Sequence, residues 1–228
     1  MNEVLWILFA VVNFVIILAV YKLFGKAGLF AWIAVGTIIA NIQVTKTIEL
    51  FGLTATLGNI MYGTLFLATD AINERYGLKD AKHSVYLGFF AMIAMVIIMQ
   101  GALMFTPSDT DIANESLHTI FELIPQIALG SITAYIVSQL LDVHVFQRIK
   151  KRFSSPATLY IRNIGSTLIS QLLDTAIFVP IAFFGVFDTK TLFSIFVTTY
   201  IIKVFVAFLD TPFLYIMLKN YPPLNEPM

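Results

Sequence analysis

Eight polar side chains recur along one otherwise apolar stretch of the chain. Arg162, Ser166, Ser170 and Asp174 fall every four residues, and Asn163, Thr167, Gln171 and Thr175 fall beside them. On a helix these two rows lie next to one another and form a single broad polar stripe. A lone serine in an apolar helix can bond back to its own backbone, but a stripe this wide exceeds what that habit absorbs. Further on, Thr199, Lys203 and Asp210 share a face, and earlier Asn59, Tyr62, Gly63, Phe66, Asp70, Asn73 and Glu74 lie on or near one side. Thr37, Asn41 and Thr45 make a weaker stripe.

These residues matter because of where they sit. An ionisable group near the centre of a bilayer costs at least about 2.5–3.5 kcal/mol, so its presence asks for a partner, a water-filled cavity or a substrate. Lys203 and Asp174 both fall at mid-membrane depth, so a buried ion pair between them is expected, with ligand or proton able to compete for it. Asp70 and Glu74 are one helical turn apart, and two carboxylates that close make proton handling a reasonable expectation. Arg75, in contrast, reads as the mark of a helix end. Asn41 fits either interhelical bonding or ligand contact. Pro125, Pro180 and Pro212 fall inside apolar stretches and are expected to kink them.

Several chemistries are excluded. The chain has no cysteine, hence no disulfide, thiolate metal site or cysteine nucleophile. Its three histidines are scattered, with no HExxH arrangement, no P-loop and no GxSxG elbow. No metal or cofactor is therefore expected, and an enzyme is not. Fourteen basic and fourteen acidic residues cancel, so no basic field exists to gather nucleic acid.

The elements that must carry the polar residues follow from composition. The 228 residues are 58% hydrophobic and only 12% charged, with a mean hydropathy of +0.85, far from the usual soluble balance. Crossing a bilayer takes about 20 mostly apolar helical residues. Seven stretches qualify: Leu5 to Tyr21, Leu29 to Val44, Leu57 to Ile72, Val85 to Phe105, Ile120 to Leu141, Leu159 to Phe184 and Leu192 to Leu218. The expected fold is an all-α polytopic transmembrane bundle in one domain. The first stretch lacks a positive flank and a small-residue cleavage pattern, and reads as a retained anchor rather than a signal peptide.

Basic residues mark the cytoplasmic loops. One set of loops and ends holds Lys22, Lys26, Arg75, Lys79, Lys82, Arg148, Lys150, Lys151, Arg152 and Lys219; the other holds only Lys46 and Lys190. The N-terminus is then expected outside and the C-terminus inside. The loop from Thr106 to Thr119 carries Asp109, Asp111 and Glu115 without a basic residue, as an external loop should. Asp142 to Phe153 reads as a helical continuation, with Phe146, Ile149 and Phe153 on one face and basic residues on the other; it could lie in the headgroup region or be a simple cytoplasmic loop. Ser155 and Pro156 read as N-cap and first residue of the sixth span.

At this point the residues form a recognisable pattern. Ala68-Thr69-Asp70 leading to Glu74-Arg75-Tyr76-Gly77, the run Asp142-Val143-His144-Val145-Phe146 before basic residues, and Ser166-Thr167 with Gln171 and Asp174-Thr175 resemble the queuosine precursor transporter family; Lys203 also fits. The resemblance covers about Leu29 to Lys219. Members of that family have about six spans, so residues 1–26 look like an additional N-terminal helix before a core of 27–219 and a short tail of 220–228.

The resemblance implies an inner-membrane importer of 7-deazaguanines: 7-cyano-7-deazaguanine, 7-aminomethyl-7-deazaguanine or queuine. It also implies a six-helix core similar to the substrate-binding subunits of energy-coupling-factor vitamin transporters, acting without the ATPase. A guanine-like edge offers neighbouring N–H donors that one carboxylate can accept, and Asp70, Glu74 or Asp174 could supply it. Asn41, Asn163 or Gln171 could meet the other edges, Ser166 belongs to the same polar stripe, Tyr62 or Phe66 could stack on the rings, and Lys203 balances buried charge. The site is expected between the third, sixth and seventh spans, opening as a wet chamber near the midplane. Within the spans Asp70, Asp174 and Asp210 outnumber Arg162 and Lys203, which permits a cationic ligand without demanding one. Partners are then the bilayer and the small molecule, and a homodimer is compatible with the sequence. Two other readings stay open: a capture subunit for a separate ATP-hydrolysing motor, and a membrane-embedded enzyme or purely structural bundle.

Overall fold

The computed structural model describes residues 2–50, 53–122, 124–183, 185 and 188–220. Helix α1 spans Asn2–Val44 but is not straight, because Gly25 has φ 56° and ψ −136°, a conformation essentially confined to glycine. A straight helix of this length would be about 65 Å long. Instead Asn2 Nδ2 donates to the carbonyl oxygen of Glu49 at 3.1 Å, and a Cβ placed on Gly28 would lie 2.7 Å from the carbonyl oxygen of Val20. The element therefore turns back at Gly25, and its two arms carry the first two apolar stretches of the sequence.

A hairpin follows, with β1 (Thr47–Leu50) antiparallel to β2 (Leu53–Thr56). Thr47 is opposite Thr56, and Leu50 is opposite Leu53. Between the second and third apolar stretches only a short connection is expected, since four-residue strands are too short for their alternation to register. Helix α2 (Gly58–Arg75) is buried at every residue from Gly58 to Asn73 and packs against α1, α3 (Leu78–Leu103), α5 (Ile124–Arg152) and α7 (Thr189–Asn220). A helix buried all round can carry polar residues on several faces, because none of them meets lipid.

The segment expected as an external loop contains the short helix α4 (Asn114–Phe121). The backbone N–H groups of Ala113 and Asn114 donate to Asp111 Oδ1 at 2.8 and 3.0 Å just before it. Helix α5 runs unbroken through Arg152, so the segment after Asp142 does continue the helix, and Asp142, Val143 and Phe146 are buried in the bundle. Pro125 is the second residue of α5. The kink expected there is corrected, since a proline in the first turn removes no helical hydrogen bond.

Ser155 caps a short 3₁₀ turn, Pro156–Thr158, its Oγ accepting from the N–H of Ala157 at 3.3 Å, and α6 (Leu159–Phe183) follows directly. Pro180 lies in the last turn of α6 and Pro212 inside α7. Phe184, the expected end of the sixth stretch, lies outside the described residues, as does the tail beyond Asn220.

Five helices among the described residues, α1, α3, α5, α6 and α7, are long and apolar enough to cross a membrane. Their outward side chains are large and apolar, Leu23, Phe90, Ile97 and Ile98 among them, while much of the polar inventory is inside. This inverted distribution suits a protein solvated by lipid. The ends of the bundle also differ. Lys26 pairs with Asp80 at 3.1 Å and Lys150 with Glu74 at 3.0 Å, and Arg75 donates to the carbonyl oxygen of Leu218. The basic segments thus gather at one end, with Asn2, Lys46 and Glu49 at the other.

Candidate functional site in the bundle interior

The polar rows of α2 and α6 run in opposite directions and meet in tiers. At the basic end, Arg162 Nη2 on α6 donates to Glu74 Oε1 at 2.9 Å, and Lys150 on α5 reaches the other oxygen of Glu74 at 3.0 Å. Arg162 also donates to the carbonyl oxygens of Phe153 and Ser155 at 2.6 and 2.9 Å, which fixes the start of α6. Beside it Asn73 donates to the carbonyl oxygen of Val143 at 3.0 Å and accepts from Gln147. This tier ties α2, α5 and α6 together.

One turn further in lies a tier of carboxyls. Asp70 on α2 accepts no hydrogen bond from any described donor group. It sits against the carboxyl of Asp142 on α5, with Asp210 and Glu74 the next carboxylates. Asp142 Oδ1 accepts from Ser170 Oγ at 2.8 Å. Asn163 Nδ2 donates to Asp210 Oδ1 at 2.8 Å and to Thr211 Oγ1 at 3.0 Å. Ser166 bonds back to the carbonyl oxygen of Asn163 at 3.3 Å.

The third tier is nearer the opposite end. Lys203 on α7 donates to Asp174 on α6, which also accepts from Ser138 Oγ on α5 at 2.9 Å. The expected buried ion pair is present. The Lys203 ammonium lies 5.8 Å from the centre of the Tyr62 ring, a cation–π distance, and the Tyr62 hydroxyl is beside Ser131 and Asn41. Asn41 donates to the carbonyl oxygen of Thr37 at 2.9 Å. Phe66 is buried between the two inner tiers of α2.

Between the second and third tiers, Asn59, Gly63, Thr167, Gln171, Lys203, Val206, Ala207 and Asp210 line a narrow slot. The slot is nowhere wide enough for a water molecule, so the wet chamber expected from the sequence is closed in this structure. The cause is packing: a Cβ on Gly63 would lie 2.2 Å from Val206 Cγ1, and only a glycine lets α7 come this close to α2. Gln171 Oε1, Thr167 Oγ1 and Asp210 Oδ2 are buried and find no partner among the described residues. Buried polar atoms are normally satisfied, so these three mark a place that is chemically incomplete. A wider crevice opens at the non-basic end, bounded by Asn2, Trp6, Lys46, Glu49 and Leu57.

The structure thus gathers Tyr62, Asp70, Asn163, Ser166, Gln171, Asp174 and Lys203 in one interior column. Asn41 joins it from α1, and Glu74 closes its basic end. Asp142 and Ser138 on α5 are not among the candidate residues of the sequence: Asp142 falls just past the end of the fifth stretch at Leu141, and Ser138 is a single hydroxyl within it. Ser131, Ser138 and Asp142 recur at helical spacing, and that row was the available signal.

A helical bundle with an apolar exterior and a polar column inside is a multi-pass membrane protein. Residues 56–217 match a family described as "Putative vitamin uptake transporter", and the chain belongs to this family. It is 49% identical over 97% of its length, and 96% of the relative's, to a protein of Bacillus subtilis (strain 168) named "Probable queuosine precursor transporter". A protein of the same name from Haemophilus influenzae is 33% identical over 59% of this chain and 54% of its own. The "Queuosine precursor transporter" of Escherichia coli (strain K12) is 28% identical over 63% of this chain and 62% of its own. No solved structure matches the chain.

Proposed function

We propose that the chain imports queuosine precursors, 7-cyano-7-deazaguanine, 7-aminomethyl-7-deazaguanine or queuine, across the plasma membrane as a secondary or facilitative carrier. The observation that carries this reading is the slot between α2, α6 and α7, where Asp210 Oδ2, Gln171 Oε1 and Thr167 Oγ1 are buried without a partner among the described residues. A flat heterocycle rich in N–H donors meets that need. Asp210 accepts the paired donors of the guanine-like edge, Gln171 and Asn163 meet its remaining polar edges, and Tyr62 offers a ring face. Asp174 and Lys203 flank the site as a charged pair. A ligand lacking these groups would leave the buried atoms unsatisfied, so recognition of this kind is selective.

The two arms of α1, with α2, α3, α5, α6 and α7, give seven spans in this reading. The first arm, residues 1–26, is an addition to a six-helix core that resembles energy-coupling-factor substrate-binding subunits. The gathering of basic residues at one end favours an external N-terminus and a cytoplasmic C-terminus. Opening the slot requires α7 to part from α2, so the closed interior corresponds to an occluded state between two access states. Uptake of labelled queuine or precursor into cells unable to make their own tests the reading. Uptake is expected with the intact protein and lost in Asp210→Ala and Asp174→Ala; full uptake by both variants would refute the site.

A further inference from the structure

Among the described residues the interior carries five carboxyls, Asp70, Glu74, Asp142, Asp174 and Asp210, and the bases beside them are engaged. Lys203 is engaged by Asp174, and Arg162 and Lys150 by Glu74. Asp70, Asp142 and Asp210 are left, all fully buried, with no basic side chain bonded to any of them among the described residues. They approach from three elements: Asp70 from α2, Asp142 from α5 and Asp210 from α7, each within the electrostatic reach of another. The fourth wall, α6, brings only the neutral Asn163, Ser166 and Ser170. A second observation lies beside the cluster: Gln171 Oε1 and Thr167 Oγ1 are at least nine-tenths buried, lack a partner and border the same slot as Asp210. Uncompensated carboxylates in a low-dielectric interior are too costly to stay charged together.

Resting on the transport reading above, we propose that the Asp70–Asp142–Asp210 cluster holds one positive charge that crosses the membrane with the ligand: a proton when the ligand is neutral, the ligand's own ammonium when it carries one. In the first case a carboxylate of the cluster takes a proton from the outer side and releases it on the inner side, regaining its negative charge. In the second the ammonium replaces that proton. The ion pairs above and below keep Lys203 and Arg162 from neutralising the cluster.

The test uses the purified full-length protein in liposomes that enclose a pH-sensitive dye. Neutral 7-cyano-7-deazaguanine is expected to acidify the lumen one-for-one with its uptake and to be driven by an inward proton gradient. The cationic 7-aminomethyl-7-deazaguanine is expected to enter without acidification and to follow the membrane potential. Asp70→Asn and Asp142→Asn are expected to abolish acidification. Uptake of both ligands without acidification, and indifferent to either gradient, would overturn the proposal.

A ligand-free readout separates this failure from failure of the transport reading. The infrared spectrum of the unliganded protein is expected to show a protonated-carboxyl band that is lost in both variants. If the band is present but no deazaguanine is taken up, the charge site stands and the ligand assignment falls. A spectrum without the band overturns the proton-holding role.

Discussion

Lys203 on α7 and Asp174 on α6 hold each other in an ion pair inside the bundle, and the consequence falls on a third residue. Asp70, deeper along α2, is left facing carboxyls with no basic partner among the described residues. Breaking a buried pair by removing one partner costs about 3–5 kcal/mol, whereas replacing both by neutral groups is often nearly free. Lys203→Met is therefore expected to lower thermal stability in detergent sharply, and Lys203→Met with Asp174→Asn to regain most of it. Uptake should stay impaired in the double variant. Additive destabilisation by the two changes would show that the pair does not form.

Gly63 sits where α2 and α7 nearly touch, a Cβ there being 2.2 Å from Val206 Cγ1. Overpacking of this kind typically costs about 1–3 kcal/mol. Gly63→Ala is expected to destabilise the bundle and slow uptake, and Val206→Ala to rescue both. A Gly63→Ala protein with unchanged unfolding temperature and transport would mean that the helices are farther apart.

The break in α1 depends on Gly25, whose φ of 56° with ψ of −136° no other residue adopts without strain. Strain of that sort is worth about 1–3 kcal/mol. Gly25→Ala is expected to lower stability by that amount, read from unfolding in detergent, while Gly101→Ala, where an added Cβ meets nothing within 4 Å, serves as the control.

Glu74 and Arg162 close the basic end of the column at 2.9 Å. Neutralising either is expected to destabilise, and a double-mutant cycle of Glu74→Gln with Arg162→Gln to give a coupling of about 0.5–3 kcal/mol. A coupling indistinguishable from zero would place the two side chains apart.

The chain contains no cysteine, so single cysteines report sidedness without background. Lys46 and Lys79 are exposed at opposite ends of the bundle. In intact cells Lys46→Cys is expected to react with an impermeant maleimide and Lys79→Cys only after permeabilisation. The reverse pattern would invert the orientation.

Much of this arrangement was legible in the sequence, for a physical reason. Polar residues in apolar stretches are costly, so Arg162, Ser166, Ser170 and Asp174 at four-residue spacing mark the lined face of α6, and the shared depth of Lys203 and Asp174 points to their pairing. What escaped depended on distance between elements rather than on periodicity. Asp142 falls just past the Leu141 end of the fifth stretch, at the start of the expected helical continuation, and nothing in its spacing shows that α5 buries it against Asp70. The β1–β2 hairpin and α4 were too short to leave a periodic trace. The closed slot follows from Gly63 meeting Val206, a contact between residues far apart in the chain.

The central claim is that the interior column binds a deazaguanine, and ligand-induced stabilisation of the purified protein tests it most directly. A ligand that binds only the folded state adds about 2.7 kcal/mol at one hundred times its dissociation constant. Queuine or one of its two precursors is expected to raise the unfolding temperature, with guanine weaker and riboflavin without effect. Unchanged unfolding with all three deazaguanines, or a riboflavin shift as large as theirs, would contradict the account.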